Sequence, residues 1–154
     1  MKKLRVYVET SVVGGAFDKT FDWQSEPFWD AVKNGDITII ASDLLEDELK
    51  GAPLHVRKFF YTLPESQIER VVSSNEAGIL AKKYIAENVV GQSSLDDCRH
   101  IAIATIANAD VLVSWNFRHI VNRTRINGYN SVNMKLGYPQ IDIRPPYEVI
   151  HAPD

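Results

Sequence analysis

The stretch SLDDCRHIAIA at residues 94–104, followed by DVLVSWN at residues 110–116, decides the fold. The first run begins with two adjacent carboxylates and continues as a predicted helix to about residue 108. The second is an apolar strand over residues 111–114 that ends beside Asn116. A helix that starts with acids and leads into a strand with a polar end indicates a site, which the rest of the chain completes.

Strands and helices alternate through the remaining chain. Apolar and β-branched runs predict four further strands, at residues 4–8, 37–40, 68–72 and 141–143. Such alternation predicts an α/β fold with a central, mostly parallel sheet and helices on both faces. Because no repeat or linker interrupts the pattern, we expect one domain over residues 1–154.

Cap and breaker residues set the expected helix boundaries. Ser42 is expected to cap the helix that follows the second strand. Ser25 is expected to cap a helix over residues 27–33, with a proline in its first turn. The pair Pro145 and Pro146 is expected to end regular structure.

The composition is that of a folded, water-soluble protein. Hydrophobic residues make up 45% and charged residues 24% of the chain. No apolar run reaches the roughly 18 residues of a membrane span. The basic start of the chain is interrupted by Arg5 and Glu9, so it fails as a secretory signal. With Cys98 as the only cysteine, these features favour a cytoplasmic protein without a membrane partner.

Charge is unevenly distributed along the chain. The net charge is −3, but residues 117–144 contain five basic residues against one acid and carry +4, which leaves −7 on the rest. A basic segment beside an acidic body suits an anionic polymer that lies next to a metal-binding pocket. A solvated surface is an equally good interpretation of the same residues.

Four acidic or amide side chains fall where a parallel sheet collects ligands. Glu9 follows the first strand, Glu48 lies late in the helix after the second strand, and Asp97 starts a helix. Asn116 follows the fourth strand. Ligands bind beyond the carboxyl ends of such strands. Clustered carboxylates need a cation among them, and oxygen ligands without Cys or His favour Mg²⁺ or Mn²⁺, whose activated water suits phosphodiester cleavage.

Four segments resemble the motifs of the PIN domain family, which includes the VapC-type toxins of bacterial toxin–antitoxin pairs. They read YVETS at residues 7–11, SDLLEDEL at 42–49, DDCRHIAIA at 96–104 and DVLVSWNFRHI at 110–120. The resemblance covers nearly the whole chain. It implies a three-layer α/β/α sandwich, a Mg²⁺ or Mn²⁺ cofactor, ribonuclease activity on RNA, a homodimer, and a small antitoxin protein as partner in a type II pair.

The resemblance assigns the catalytic and metal-binding roles to Glu9, Glu48, Asp97 and Asn116. The family usually has Asp where Glu9 and Asn116 stand. The longer side chain of Glu9 must place its carboxylate differently, and Asn116 keeps an oxygen ligand but loses a charge. These departures leave a second interpretation open, a PIN-fold module that binds RNA or a protein with weak or no catalysis.

Five further polar residues are candidate accessory groups: Asp96, Thr10, Ser11, Arg99 and Arg118. Asp96 is an extra acid beside the predicted ligand. Thr10 and Ser11 would bring hydroxyls near the metal, although capping of the first helix is the favoured interpretation. Arg99 and Arg118 would hold a phosphate, and a surface ion pair such as Arg99 with Asp96 is equally favoured.

Histidines and aromatic residues near the motifs favour packing roles. His100 and His119 lie beside apolar residues, where a hydrogen-bonded core position is more common than a general base. Trp115 is expected to be buried rather than stacked on a base. Core packing is also the default for an early aromatic cluster, whose alternative is a dimer or antitoxin surface: Trp23, Phe28 and Trp29.

A receiver-type phosphotransfer domain is a third interpretation, because Asp96 and Asp97 form an acid pair. The acceptor Asp of a receiver ends a strand and needs a lysine after a later strand. Here a helix follows the acid pair and Asn116 stands in place of the lysine, so this interpretation is disfavoured.

Overall fold

Strand order and strand direction position the site. The computed structural model describes residues 3–18 and 21–150. Within them the strands are β1 (Leu4–Val8), β2 (Ile37–Ser42), β3 (Ile68–Val71), β4 (Val111–Val113) and β5 (Ile143–Arg144). They form one sheet in the order β3-β2-β1-β4-β5, and every pairing is parallel. The predicted parallel sheet is confirmed, with β1 and β4 as central neighbours.

Helices connect the strands. In the described ranges they are α1 (Thr10–Gly15), α2 (Asp22–Lys33), α3 (Asp43–Lys50), α4 (Leu54–Tyr61), α5 (Asn75–Ala86), α6 (Leu95–Ile106), α7 (Arg123–Lys135) and α8 (Pro146–Ile150). Short 3₁₀ turns at Glu65–Gln67 and Gln92–Ser94 lead into β3 and α6. None of the helices in these ranges is long and apolar enough to span a bilayer.

Both faces of the sheet are covered by helices. Side chains alternate along β1, so Val6 and Val8 enter one core and Tyr7 enters the other. The first core includes Phe28 of α2 and Phe60 of α4. The second core is built largely from α5, α6 and α7. Two fully buried cores on opposite faces confirm the three-layer α/β/α sandwich.

The start of α2 differs from the prediction. The helix begins at Asp22, so Pro27 lies inside it rather than in its first turn. Ser25 is buried within the helix and does not cap it. Its Oγ instead accepts a hydrogen bond from the indole nitrogen of Trp115, at 3.2 Å. The hydroxyl of Ser25, which the local sequence predicts to be a helix cap, therefore binds a residue 90 positions away in the chain.

Regular structure continues beyond the predicted end. Pro146 begins α8 instead of terminating the fold, because a proline is tolerated in the first turn of a helix, where its missing N–H has no partner to lose. The helix packs against α2. Its Tyr147 ring lies 5.9 Å from the Trp115 ring, between centroids. The C-terminal helix thus supports the segment that leads to Asn116.

Candidate active site

The predicted site residues come from four separate segments. Glu9 directly follows β1, and Asn116 comes three residues after the end of β4. Glu48 lies late in α3, and Asp97 lies in the first turn of α6. Because Asp97 belongs to a helix and ends no strand, the receiver interpretation is wrong.

Glu9 is buried, and both of its carboxylate oxygens are engaged. One oxygen accepts a hydrogen bond from the backbone nitrogen of Ser11, and the other accepts from Ser114 Oγ at 2.7 Å. Glu9 is therefore the N-cap of α1. The prediction that Thr10 or Ser11 caps this helix is wrong, because the longer glutamate side chain turns back onto the free N–H groups of the helix that follows it.

Glu48 presents one engaged oxygen and one free oxygen. Its Oε1 accepts a hydrogen bond from Thr10 Oγ1 at 2.9 Å and pairs with His100 Nε2. No residue in the described part of the chain donates to Oε2. Burial raises the pKa of Glu48, but the hydrogen bonds from His100 and Thr10 and the nearby positive charge outweigh it and lower the pKa overall. Glu48 is thus an ionised carboxylate with a free oxygen.

His100 is buried between Glu48 and the first strand. Its Nδ1 lies 2.6 Å from the hydroxyl of Tyr7, which lies 2.8 Å from Ser42 Oγ. The expectation of a packed, hydrogen-bonded histidine is confirmed. The contact with Glu48 was not foreseen, since the two residues are 52 positions apart. The sequence signal for a site role of His100 is its i, i+3 spacing from Asp97, which puts Asp97 and His100 on one face of the helix.

Asp97 faces the charge of the other acids. Burial and the negative charge of Glu9 raise the pKa of the Asp97 carboxyl, and Glu48 contributes in the same direction. His119 opposes the shift, with its Nδ1 at 3.8 Å from Asp97 Oδ2. The Asp97 carboxyl therefore lies within the electrostatic influence of two other predicted ligands, Glu9 and Glu48.

Asn116 holds the loop that follows β4. Its Oδ1 accepts hydrogen bonds from the backbone nitrogens of Arg118 and His119, at 3.2 and 3.0 Å. Its own backbone nitrogen donates to Ser114 Oγ at 2.9 Å. The amide oxygen therefore already organises a turn, a role that its position after a strand did not reveal.

The accessory residues divide into site and surface groups. Thr10 contacts Glu48, whereas Ser11 Oγ accepts from the backbone nitrogen of Trp115 at 2.9 Å and ties α1 to the end of β4. Asp96 is exposed and pairs with Arg99 at 3.1 Å. This is the surface ion pair predicted as one of the two interpretations of Arg99. Arg118 is exposed.

Ser114 is the site residue that sequence reasoning missed. It is fully buried and donates to Glu9. The available signal was one hydroxyl at the end of an otherwise apolar strand, which in a buried parallel sheet requires a polar partner.

The aromatic residues near the motifs divide into buried and exposed side chains. Trp115, Phe28 and Trp29 are buried, which confirms core packing for them. Trp23 is 68% exposed and lies at a cavity of about 390 Å³ beside α2. The charged side chains that line the same cavity are three acids and one base: Asp22, Glu26, Asp30 and Lys33.

The donor set suits a hard cation in its chemistry. It consists of carboxylate and amide oxygens, which Mg²⁺ and Mn²⁺ prefer. Within residues 3–18 and 21–150, no group of three or more His, Cys, Asp or Glu side chains converges closely enough to hold a metal ion. Glu48 Oε2 and the Asp97 carboxylate are the oxygens that remain available, because Glu9 and Asn116 are engaged in their own segments.

The five parallel strands, covered by helices on both faces, form an α/β/α fold of the kind found in VapC proteins. No protein-family model matches the sequence, and no curated protein matches it. Among solved structures, the chain is similar to VapBC2 from Rickettsia felis, determined with a DNA fragment from its promoter. The TM-score is 0.54 at 16% identity, over 91% of this chain and 97% of that chain.

It is also similar to VapC20 from Mycobacterium tuberculosis, described as a sarcin–ricin loop cleaving toxin. Here the TM-score is 0.55 at 10% identity, over 89% of this chain and 98% of that chain. At these identities the likeness is one of fold.

Proposed function

We propose that this protein is a divalent-metal-dependent endoribonuclease that acts in the cytoplasm as the toxin of a type II toxin–antitoxin pair. The observation that carries the proposal is the pair of available acids in a VapC-like fold: Glu48, held by Thr10 at the end of β1 with one oxygen free, and Asp97, whose pKa the negative charges of Glu9 and Glu48 raise. The likeness in fold to VapC20, a sarcin–ricin loop cleaving toxin, supports RNA as the substrate class.

Asp97 and Glu48 would hold the metal in this proposal. Glu48 is ionised and has a free oxygen, and Asp97 would lose its electrostatic penalty once a cation lies beside it. A bound Mg²⁺ or Mn²⁺ supplies Lewis-acid stabilisation and a more acidic water, which phosphodiester hydrolysis requires. Glu9 and Asn116 would define the shape of the site from the ends of β1 and β4.

An RNA cleavage assay tests this function with a matched pair of acids. Asp97→Ala removes a predicted ligand, and Asp96→Ala removes its exposed neighbour, which pairs with Arg99. Labelled RNA is incubated with each protein in Mg²⁺ or Mn²⁺, and with EDTA as a control. We expect cleavage by the wild-type chain and Asp96→Ala, and none by Asp97→Ala. Equal cleavage by all three proteins contradicts the proposal.

A second candidate is a PIN-fold module that binds RNA or a protein partner without cutting. The observation that favours it is the engagement of Glu9 and Asn116 by their own helix cap and turn, which leaves fewer free ligands than four. Calorimetry with Mn²⁺ separates the two candidates. Metal binding below millimolar concentration supports the nuclease, and no binding up to that level supports the module.

A small antitoxin protein and a second copy of the chain complete the proposal. The cavity beside the exposed Trp23, where three acids outnumber the single Lys33, supports a basic, partly apolar protein partner. Co-purification with the product of a neighbouring small reading frame tests it. Trp23→Ala is expected to weaken capture, whereas Ile79→Ala, which is equally exposed on α5, is not. Light scattering measures the oligomeric state.

A further inference from the structure

The geometry points to His100 as a positioning residue that fixes the carboxylate of Glu48 for metal binding, with Tyr7 holding the imidazole in the orientation this requires. The inference rests on the proposed function, because it concerns a predicted ligand of that site. It adds a residue that contacts no substrate and acts through Glu48.

Burial makes these contacts obligatory. His100 is 2% exposed and Tyr7 is fully buried, and their rings meet edge to face with centroids 5.7 Å apart. Inside a protein, a polar atom that loses its partner carries the full penalty of desolvation. Both ring nitrogens of His100 have a partner, Tyr7 on one side and Glu48 on the other. The imidazole is therefore fixed at two points.

One hydrogen-bond polarity runs through the chain of contacts from Ser42 to Glu48. Ser42 Oγ accepts from the backbone nitrogen of Leu45 at 3.1 Å, and its own hydrogen is available to the oxygen of Tyr7. The Tyr7 hydroxyl can then donate to His100 Nδ1. A neutral imidazole that accepts at Nδ1 carries its hydrogen on Nε2, which donates to Glu48 Oε1. A protonated imidazole would donate there as well.

The consequence for Glu48 is a fixed carboxylate plane. His100 and Thr10 both donate to Oε1, from different elements, so Oε2 is left as the outward ligand. A glutamate without such donors samples several rotamers, and the ordering would have to accompany metal binding.

Amide replacements of His100 give a matched test. The side-chain nitrogen of Gln overlies Nε2 and can donate to Glu48, whereas that of Asn lies near Nδ1 and cannot. Mn²⁺ affinity is measured by calorimetry for the wild-type chain, His100→Gln, His100→Asn and His100→Leu, with urea unfolding to identify folded variants. We expect His100→Asn and His100→Leu to weaken Mn²⁺ binding about tenfold or more, and His100→Gln to stay within about threefold of wild type.

The outcomes separate the two proposals. Wild-type Mn²⁺ affinity in folded His100→Asn overturns the positioning role, and so does an equal loss in the Gln and Asn variants, because ring packing alone would explain that. If His100→Leu does not fold, the Gln and Asn pair decides alone. Absence of Mn²⁺ binding by the wild-type chain overturns the proposed function and the inference with it. In RNA cleavage, the expected loss is in kcat, with KM for RNA unchanged.

Discussion

Ser114 donates a hydrogen bond from its Oγ to Glu9 Oε1 at 2.7 Å, and this contact joins the ends of the two central strands. The same Oγ accepts from the backbone nitrogen of Asn116, and Glu9 in turn caps α1. The hydroxyl therefore connects two predicted site residues to each other and to the first helix. Glu9 has a structural role that a shorter Asp at this position would have to perform with different geometry.

Removal of this hydroxyl is expected to destabilise the fold. In Ser114→Ala, the buried Glu9 carboxylate loses its side-chain donor, which lowers the free energy of unfolding by about 1–3 kcal/mol. Urea denaturation measures the change. Ser131→Ala, at an exposed position of α7, is the control and should stay within about 0.5 kcal/mol of wild type. Wild-type stability in Ser114→Ala would show that the contact contributes nothing.

Asp97→Asn is expected to stabilise the fold and to abolish metal binding. Burial and Glu9 raise the pKa of Asp97, so the native state holds the ionised carboxylate less well than the unfolded chain does. Without metal, the variant is expected to be about 1 kcal/mol more stable at pH 7, or about 2–4 °C higher in Tm, and to bind no Mn²⁺.

The pH dependence fixes the sign of this effect. A carboxyl whose pKa is raised on folding destabilises the native state while ionised, and the penalty disappears as the pH falls through the folded pKa. Thermal melts in EDTA between pH 5 and 8 should therefore show a gap between Asp97→Asn and wild type that is largest at high pH and narrows on acidification. Asp96→Asn, at the exposed neighbour, should show no such gain, and a gap that widens on acidification would refute the assignment.

Asn116→Asp is expected to strengthen metal binding without altering the loop. A carboxylate can accept the same two backbone hydrogen bonds, from Arg118 and His119, that the amide oxygen accepts. The added charge should tighten Mn²⁺ binding about tenfold, which corresponds to about 1.4 kcal/mol. Calorimetry against Asn127→Asp, which adds the same charge at an exposed position of α7, isolates the effect of position. Equal affinities for the two variants would exclude Asn116 from the metal site.

Local sequence signals sufficed for the sheet and for several helix starts. The apolar run at Ile37–Ser42 is a strand buried on both faces, and Ser42 caps the next helix through Leu45 as its hydroxyl predicts. These features depend on the neighbours of each residue in the chain, so the pattern alone carried them. The motif pattern also predicts that Glu9 and Asn116 follow the carboxyl ends of two neighbouring strands, and both residues lie there.

The remaining features could not be predicted from the sequence, because they depend on contacts between residues far apart in the chain. Whether Ser25 caps a helix or receives the indole of Trp115 depends on a partner 90 positions away. In the same way, the apolar neighbours of His100 predict a core position, while its contact with Glu48 joins α6 to a residue of α3 that lies 52 positions earlier in the chain. The use of Glu9 as a helix cap also had no local signal, because Thr10 and Ser11 are better caps by residue type.

Adjacent glycines in α1 provide a test of that packing. A Cβ built on Gly15 would lie 2.6 Å from Trp115 Cδ1, whereas a Cβ on Gly14 would meet nothing within 4 Å. Gly15→Ala must displace the indole and should lower the free energy of unfolding by about 1–3 kcal/mol. Gly14→Ala should raise it by about 0.5–1 kcal/mol, because alanine restricts the unfolded chain and suits a helix.

Urea denaturation of the two variants measures these opposite effects with one methyl group in one helix. Because Trp115 directly precedes Asn116, displacement of the indole should also disturb the loop that Asn116 holds. Gly15→Ala is therefore expected to weaken Mn²⁺ binding, whereas Gly14→Ala is not. If both variants gained stability equally, helix propensity alone would explain the effects, and the close approach of Trp115 to α1 would have no role in shaping the site.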